Sequence, residues 1–293
     1  MPALLLLLLS LQDPGRKVPT DWQIVDLRVE ITTARTNVDP SDLLSLDIRW
    51  INGSESPVKL HVPLLYRVFM EEPGGQAFQA RTSFGAIVCG KGHRQEFGPG
   101  QFMEMQRFLS PSFLFRREGA ADRFRPPSKG VWKVWVESEL WHGVVKSNVV
   151  EFRIEDDPAR SDEVRRTFGS EAWHRFALGD SPDPADLLRF RKVALGKTEL
   201  PQKDIMAYMV GRHDLNRNRP GHALTLLRIA GAAKTRNVSR HLVLSDVLQC
   251  HWELGNLDEA LLLMDQFRPD PADIARWRWD ETRAGIHRRV LDR

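Results

Sequence analysis

The stretch from Val150 to Phe168, VEFRIEDDPARSDEVRRTF, carries two different rhythms. Val150, Phe152 and Ile154 alternate with Glu151 and Arg153, the period of two that a half-buried strand requires. After Asp156-Asp157-Pro158 the rhythm changes. Ser161 followed by Asp162 and Glu163 is a helix N-terminus signature, and Val164, Phe168, Ala172, Phe176 and Ala177 then recur at helical spacing. This single switch places a boundary near residues 155–161 and predicts a multidomain chain: an all-β domain over 18–157 and an all-α module over 161–293. At 293 residues the chain exceeds the usual domain size of about 100 to 200, so each part is long enough to bury its own core.

Working back from the boundary, period two persists. Trp132, Val134 and Val136 share one face of Gly130–Trp141, and His142-Gly143 marks a turn before Asn148–Ile154. Near the start, Val25, Leu27, Val29 and Ile31 alternate with Asp26, Arg28 and Glu30, and Leu44, Leu46, Ile48 and Trp50 with Ser45, Asp47 and Arg49. Asn52-Gly53 then reads as a tight hairpin leading into Val58, Leu60 and Val62. Phe78–Phe84 and Gln101–Leu109 read as further strands around a Gly-rich loop over 90–100. Short strands with turns between them predict an antiparallel two-sheet β-sandwich rather than a parallel α/β fold.

Working forward, helices are expected from Asp183-Pro184, from Pro201, and over Pro220–Ala233, His241–Leu254, Leu257–Phe267 and Pro271–Leu291.

Two resemblances sharpen these expectations. GVWKVWVESELWHGVVKSNVVEFRIE, residues 130–155, resembles the closing hairpin of bacterial immunoglobulin-like (Ig-like) domains of exported proteins, which implies that fold and an extracytoplasmic setting. PGHALTLLRIAGAA and NLDEALLLMDQFRP align Ala223 with Ala260 and Leu227 with Met264, a period of 260 − 223 = 37 residues. Such a period suggests stacked helix pairs. The two copies resemble the tetratricopeptide repeat (TPR), with Gly211, Ala223, Leu227 and Ala230 at its packing positions and LGNLDEAL at its interhelical turn. They depart from it at Leu248, Phe267 and Pro271. The resemblance implies a TPR-like helical-hairpin array with a groove, lined by Arg212, in which peptides dock.

Composition excludes some classes. The apolar fraction of 42% and charged fraction of 28% are those of a globular protein. The 42 Lys and Arg against 39 Asp and Glu give no expectation of a nucleic-acid partner. Cys89 and Cys250 fall in different modules and are expected as free thiols. The run Ala3–Leu11 is too short to span a bilayer and reads as a signal peptide or a disordered N-terminus over 1–17, so no transmembrane span is expected. It lacks a preceding Lys or Arg and an Ala-x-Ala cleavage site.

Catalysis needs a convergent nucleophile, base and orienting group, or clustered metal ligands. Cys89 and His93 in VCGKGH, Cys250-His251, and His213-Asp214 lack the spacing of a nucleophile pair or a zinc site, so no catalytic residue, metal or cofactor is expected. Arg212, Arg217, Arg219, Arg236 and Arg240 cluster near the first repeat, and Trp277 and Trp279 lie among arginines in the last helix. These are candidate partner-binding residues, the alternative for the tryptophans being a packing cap. Trp135, Glu137, Glu139 and Trp141 form a candidate platform for carbohydrate or peptide, the alternative being a solvated sheet face. Arg94, Arg116, Arg117, Arg123, Arg125 and Lys129 lie in loops that either meet an anionic partner or are simply exposed.

The expectation is a non-catalytic, periplasmic or secreted adaptor whose helical module binds a protein or peptide. The alternative is an envelope-polysaccharide-binding module or the accessory domain of an envelope hydrolase.

Overall fold

The structure, a computed structural model, describes residues 26–62, 65–82, 93–115, 124–140, 143–197, 200–233, 237–267 and 276–291. The apolar run at the N-terminus, Cys89, Arg116, Arg117, Arg123, Trp141 and Arg236 lie outside the described residues, as do the side chains of His93, Arg94, Trp277 and Trp279.

Strands occupy the first part of the chain: β1 Leu27–Thr33, β2 Asn37–Val38, β3 Leu44–Asn52, β4 Val58–Val62, β5 Leu65–Glu71, β6 Ala77–Thr82, β7 His93–Phe97, β8 Phe102–Phe115, β9 Gly130–Leu140, β10 Gly143–Lys146 and β11 Val150–Ile154. Helices follow: α1 Asp162–Phe168, α2 Glu171–Ala177, α3 Pro184–Leu195, α4 Lys203–Asn216, α5 Pro220–Ala232, α6 Arg240–Glu253, α7 Leu257–Gln266 and α8 Arg276–Leu291.

The division into strands then helices falls where the side-chain rhythm changes, but the β part is not an Ig-like sandwich. Nine strands form one continuous sheet in the order β1-β3-β8-β6-β5-β9-β11-β2, with β10 also on β9, while β4 and β7 form a separate ribbon. The sheet is mixed, because β11 pairs with β2 in parallel through Arg153↔Asn37 and Ile154↔Val38. It curls into a half-barrel. Trp50 on β3 donates its indole N–H to Ser138 on β9 at 2.8 Å, although three strands separate them in the sheet order. Alternation along each strand puts Ile48, Trp50, Met70, Trp132, Val134 and Phe152 into the enclosed core.

The expected hairpin at Asn52-Gly53 is absent, because β3 pairs with β1 and β8 while β4 pairs with β7. Asn52 is fully buried instead and donates to the carbonyls of Phe97 at 2.8 Å and Ser56 at 3.0 Å, joining ribbon to sheet. One expected helix is also two. Gly169 ends α1, and the Ser170 hydroxyl then accepts from the Trp173 N–H to start α2.

The helical part does not stand apart from the sheet. Leu43 and Phe108, on the outer face of the curl, belong to the same buried cluster as Phe168, Trp173 and Tyr208. Helix α4 buries every residue from Asp204 to Gly211, the pattern of a helix covered all round. Its Tyr208 ring lies 6.4 Å from Phe108. The α4 face that the repeat resemblance assigned to a docking groove is thus occupied in part by the protein's own sheet. One turn on from Tyr208, Gly211 lets α5 approach: a Cβ there would sit 3.1 Å from Leu227 Cγ.

Polar contacts fasten this seam. Arg160 binds Asp42 through both terminal nitrogens, at 2.5 and 2.7 Å, and Ser41 at 3.1 Å. The Ser239 N–H donates to Gln106 Oε1 at 2.7 Å, and Arg81 pairs with Asp180.

Candidate functional site

Helix α3 is set by Asp183, whose side chain accepts from the Ala185 N–H at 2.8 Å, and by Pro184 in the first turn. One face is anchored: Phe190 stacks on Phe176 at 5.6 Å and meets Trp173 edge-on at 5.5 Å. The opposite face carries Leu188, 67% exposed, and Leu195, 47% exposed, with Lys192 between them. At about 100° per residue these three side chains share a narrow arc, and Arg191 borders it. Arg191 forms an ion pair with Asp214 of α4, which is fully buried. The apolar stripe therefore adjoins the turn between α4 and α5, where Arg217 and Arg219 are exposed.

The arginines grouped by sequence separate in space. Arg212 donates to the Tyr208 hydroxyl at 2.8 Å and faces inward. Burial, then the Asp246 carboxylate, push the Tyr208 phenol up, while Arg212 opposes the shift. Arg240 lies over the Phe267 ring at 3.8 Å. Arg217 and Arg219 stay together and are joined by Arg191, which sequence reasoning passed over, and by His213, which it weighed only as a nucleophile or metal partner. The signal available was His213-Asp214 at the end of a helix directly before an Arg-rich turn.

On the sheet, Trp135 is only 9% exposed. It stacks on Phe69 at 5.6 Å, bonds Glu137 at 3.1 Å and is covered by Lys146 at 4.4 Å. Glu139 pairs with Arg67 at 2.5 Å. Platform tryptophans for sugars present a free ring face, whereas this ring is enclosed by its own neighbours. Of the loop cations, Arg125 pairs with Glu72 at 2.9 Å and Lys129 with Asp156 at 2.5 Å.

A concavity lies where the two parts join, a cleft of about 190 Å³ lined by Pro40, Phe124, Pro126, Pro127, Asp39 and Arg165 among others. Burial opposes ionisation of Asp39. Hydrogen bonds from Ser41 and the Asp157 N–H, with Arg160 nearby, nevertheless bring its pKa below the usual carboxylate range. Asp39 is thereby committed to holding the linker.

Among the described residues, the Cys250 thiol and the pair of Ser110 and His174 are held inside the fold. Burial, followed by Asp246 and Glu253, pushes the Cys250 thiol up to about 12. The fully buried His174 ring sits 2.7 Å from the Ser110 hydroxyl, and burial pushes its pKa down to about 4. Ser110 is equally buried, so the pair has the partners of a nucleophile and base without access for a substrate.

No protein-family model matches the chain, and no curated protein aligns with it significantly. Among solved structures it is similar to a β-glucosidase from Listeria innocua in complex with glucose, at 11% identity and a TM-score of 0.28, over 45% of this chain. The match spans 16% of the β-glucosidase. It is also similar to a CARDB domain from Pyrococcus furiosus, at 14% identity and a TM-score of 0.25 over 45% of this chain and 96% of that one. A human ASH/PapD-like domain matches at 14% identity and a TM-score of 0.20, over 50% of this chain and 94% of that one. Likeness at this level carries no functional argument. No helix among the described residues is long and apolar enough to cross a membrane.

Proposed function

We propose that the protein is a non-catalytic adaptor acting outside the cytoplasm, which holds a protein partner on its helical layer while the curled sheet supports that layer. The observation that carries this reading is the α3 face. Two leucines lie exposed on a helix whose other side is anchored by Phe190, and they are bordered by Arg191, Arg217 and Arg219. An apolar centre with arginine at its rim is the composition that protein interfaces favour. The short apolar run Ala3–Leu11 supports export.

The test is chemical cross-linking of the full chain in its own envelope fraction. A specific adduct is expected with the parent and not with Leu188→Asp/Leu195→Asp, whose circular dichroism should match the parent because both side chains are exposed. Persistence of the adduct in a folded double variant defeats the reading.

A further inference from the structure

The turn from α4 to α5 gathers positive charge that meets no counter-ion among the described residues. Its backbone is fixed. Asn218 takes a left-handed conformation at φ 57°, and the Arg217 N–H donates to the carbonyls of Asp214 at 3.1 Å and His213 at 3.2 Å. The Arg219 N–H returns to the Asp214 carbonyl at 3.0 Å. These bonds fold the turn back on the last turn of α4 and hold both guanidinium stems beside His213. Arg191 reaches the same corner from α3 through its pair with Asp214, which neutralises that buried carboxylate.

Arg217 and Arg219 have no such partner. Both are exposed, and among the described residues neither side chain makes a hydrogen bond or an ion pair. The half-buried His213 ring, edge-on to Phe176 at 5.8 Å, registers their proximity. Its pKa is lowered first by burial and then by Arg217, with Asp214 acting the other way and Arg191 and Arg219 adding to the depression. The first turn of α5, directly after Arg219, contains no acidic residue that would offset them.

We propose that this corner binds an acidic segment of the protein partner, with carboxylates taken by Arg217 and Arg219 while the neighbouring chain lies along Leu188 and Leu195. The proposal rests on the adaptor reading and names the chemistry of what is bound. A guanidinium takes a carboxylate through two parallel N–H bonds, and two of them separated by one residue suit acids spaced along an extended segment. The exposed Leu188 and Leu195, with the Lys192 stem between them, favour a polypeptide over a free anion, which would have no use for them.

The probe is a fluorescent oligoglutamate peptide titrated into the full chain and followed by anisotropy. Saturable binding is expected that weakens as salt rises, because exposed charges are screened. Arg217→Glu/Arg219→Glu should lower affinity about tenfold or more, and Arg217→Lys/Arg219→Lys, which keeps the charge but loses the two-bond fork, should fall between the parent and the charge-reversed variant. Equal binding by the charge-reversed variant, equal binding of oligoglutamine, or full competition by inorganic phosphate at matched concentration would each overturn the proposal. A partner adduct that survives Arg217→Glu/Arg219→Glu but is lost in Leu188→Asp/Leu195→Asp overturns the acidic-segment site while leaving the adaptor reading in place.

Discussion

The side-chain amide of Gln202 takes the place of a neighbouring strand for Leu43, accepting from its N–H at 3.0 Å and donating to its carbonyl at 2.8 Å. Gln202 is buried and held at φ 56°, directly before α4. Sheet and helices thus share a two-bond ladder made by one side chain. Gln202→Ala strands a buried donor and acceptor together and should cost about 2 to 4 kcal/mol, measured by urea unfolding. Gln202→Gly loses the same bonds but relieves the left-handed backbone, so its cost should be smaller by about 1 kcal/mol.

Asn148 does the same for Ile31, accepting its N–H at 2.8 Å and donating to its carbonyl at 3.0 Å. This links the β1 edge to the segment between β10 and β11. Asn148 is exposed, so water can replace the lost bonds. Asn148→Ala should therefore cost only about 0.5 to 1.5 kcal/mol in the same assay. Equal costs for Asn148→Ala and Gln202→Ala would show that burial is not what separates them.

The half-buried Asp47 and the fully buried His174 give opposite pH dependences. Burial, then Glu104, push the Asp47 carboxyl up to about 6, whereas burial pushes His174 down to about 4. As pH rises between about 4 and 6, Asp47 must ionise in an unfavourable place and stability falls. As pH falls from about 6.5 to 4, His174 resists a proton that the unfolded chain accepts, and stability again falls. The two effects offset each other in the parent. Asp47→Asn should be more stable than the parent near pH 7 by about 1 to 3 kcal/mol, a gain that vanishes below about pH 4. His174→Gln should lose less stability than the parent on acidification from about pH 6.5 to 4. Thermal unfolding followed across that range decides both.

Much of the chain was legible because local rules were enough. The switch at Asp157 is a change of period, and the caps at Ser161 and Asp183 are single-residue chemistry. The sheet's architecture was not legible in the same way. Inward Ile48, Trp50 and Val134 look alike in a two-sheet sandwich and in one curled sheet, since both bury alternate residues. What separates them is pairing between distant strands, such as β6 with β8 or β2 with β11. Asn52-Gly53 misled because Asn52 is spent on a buried contact with the ribbon. The corner at Arg217 and Arg219 was half legible. Their adjacency is sequential, while Arg191 arrives only through tertiary pairing with Asp214.

The buried pair of Arg160 with Asp42 offers the sharpest check on how the two parts are joined. Burial opposes the charge on Arg160, yet the hydrogen bonds and charge of Asp42, with Asp39 and Asp157 behind it, raise its pKa above the usual value. Both side chains are nearly inaccessible, at 5% and 1% exposure, so neither charge can turn to water when the other is removed. Arg160→Met leaves Asp42 without its main partner and should cost about 3 to 5 kcal/mol. In Arg160→Met/Asp42→Leu that orphaned charge is gone, although Asp39 keeps only Arg165, at 3.8 Å. The double variant should therefore recover a large share of the loss, and unfolding in urea should show a coupling energy of about 1 to 3 kcal/mol between the two sites. Strictly additive losses would mean that the pair is not the clasp its geometry describes, and that the linker is held by Asp39 and its contacts with Ser41 and Asp157 instead.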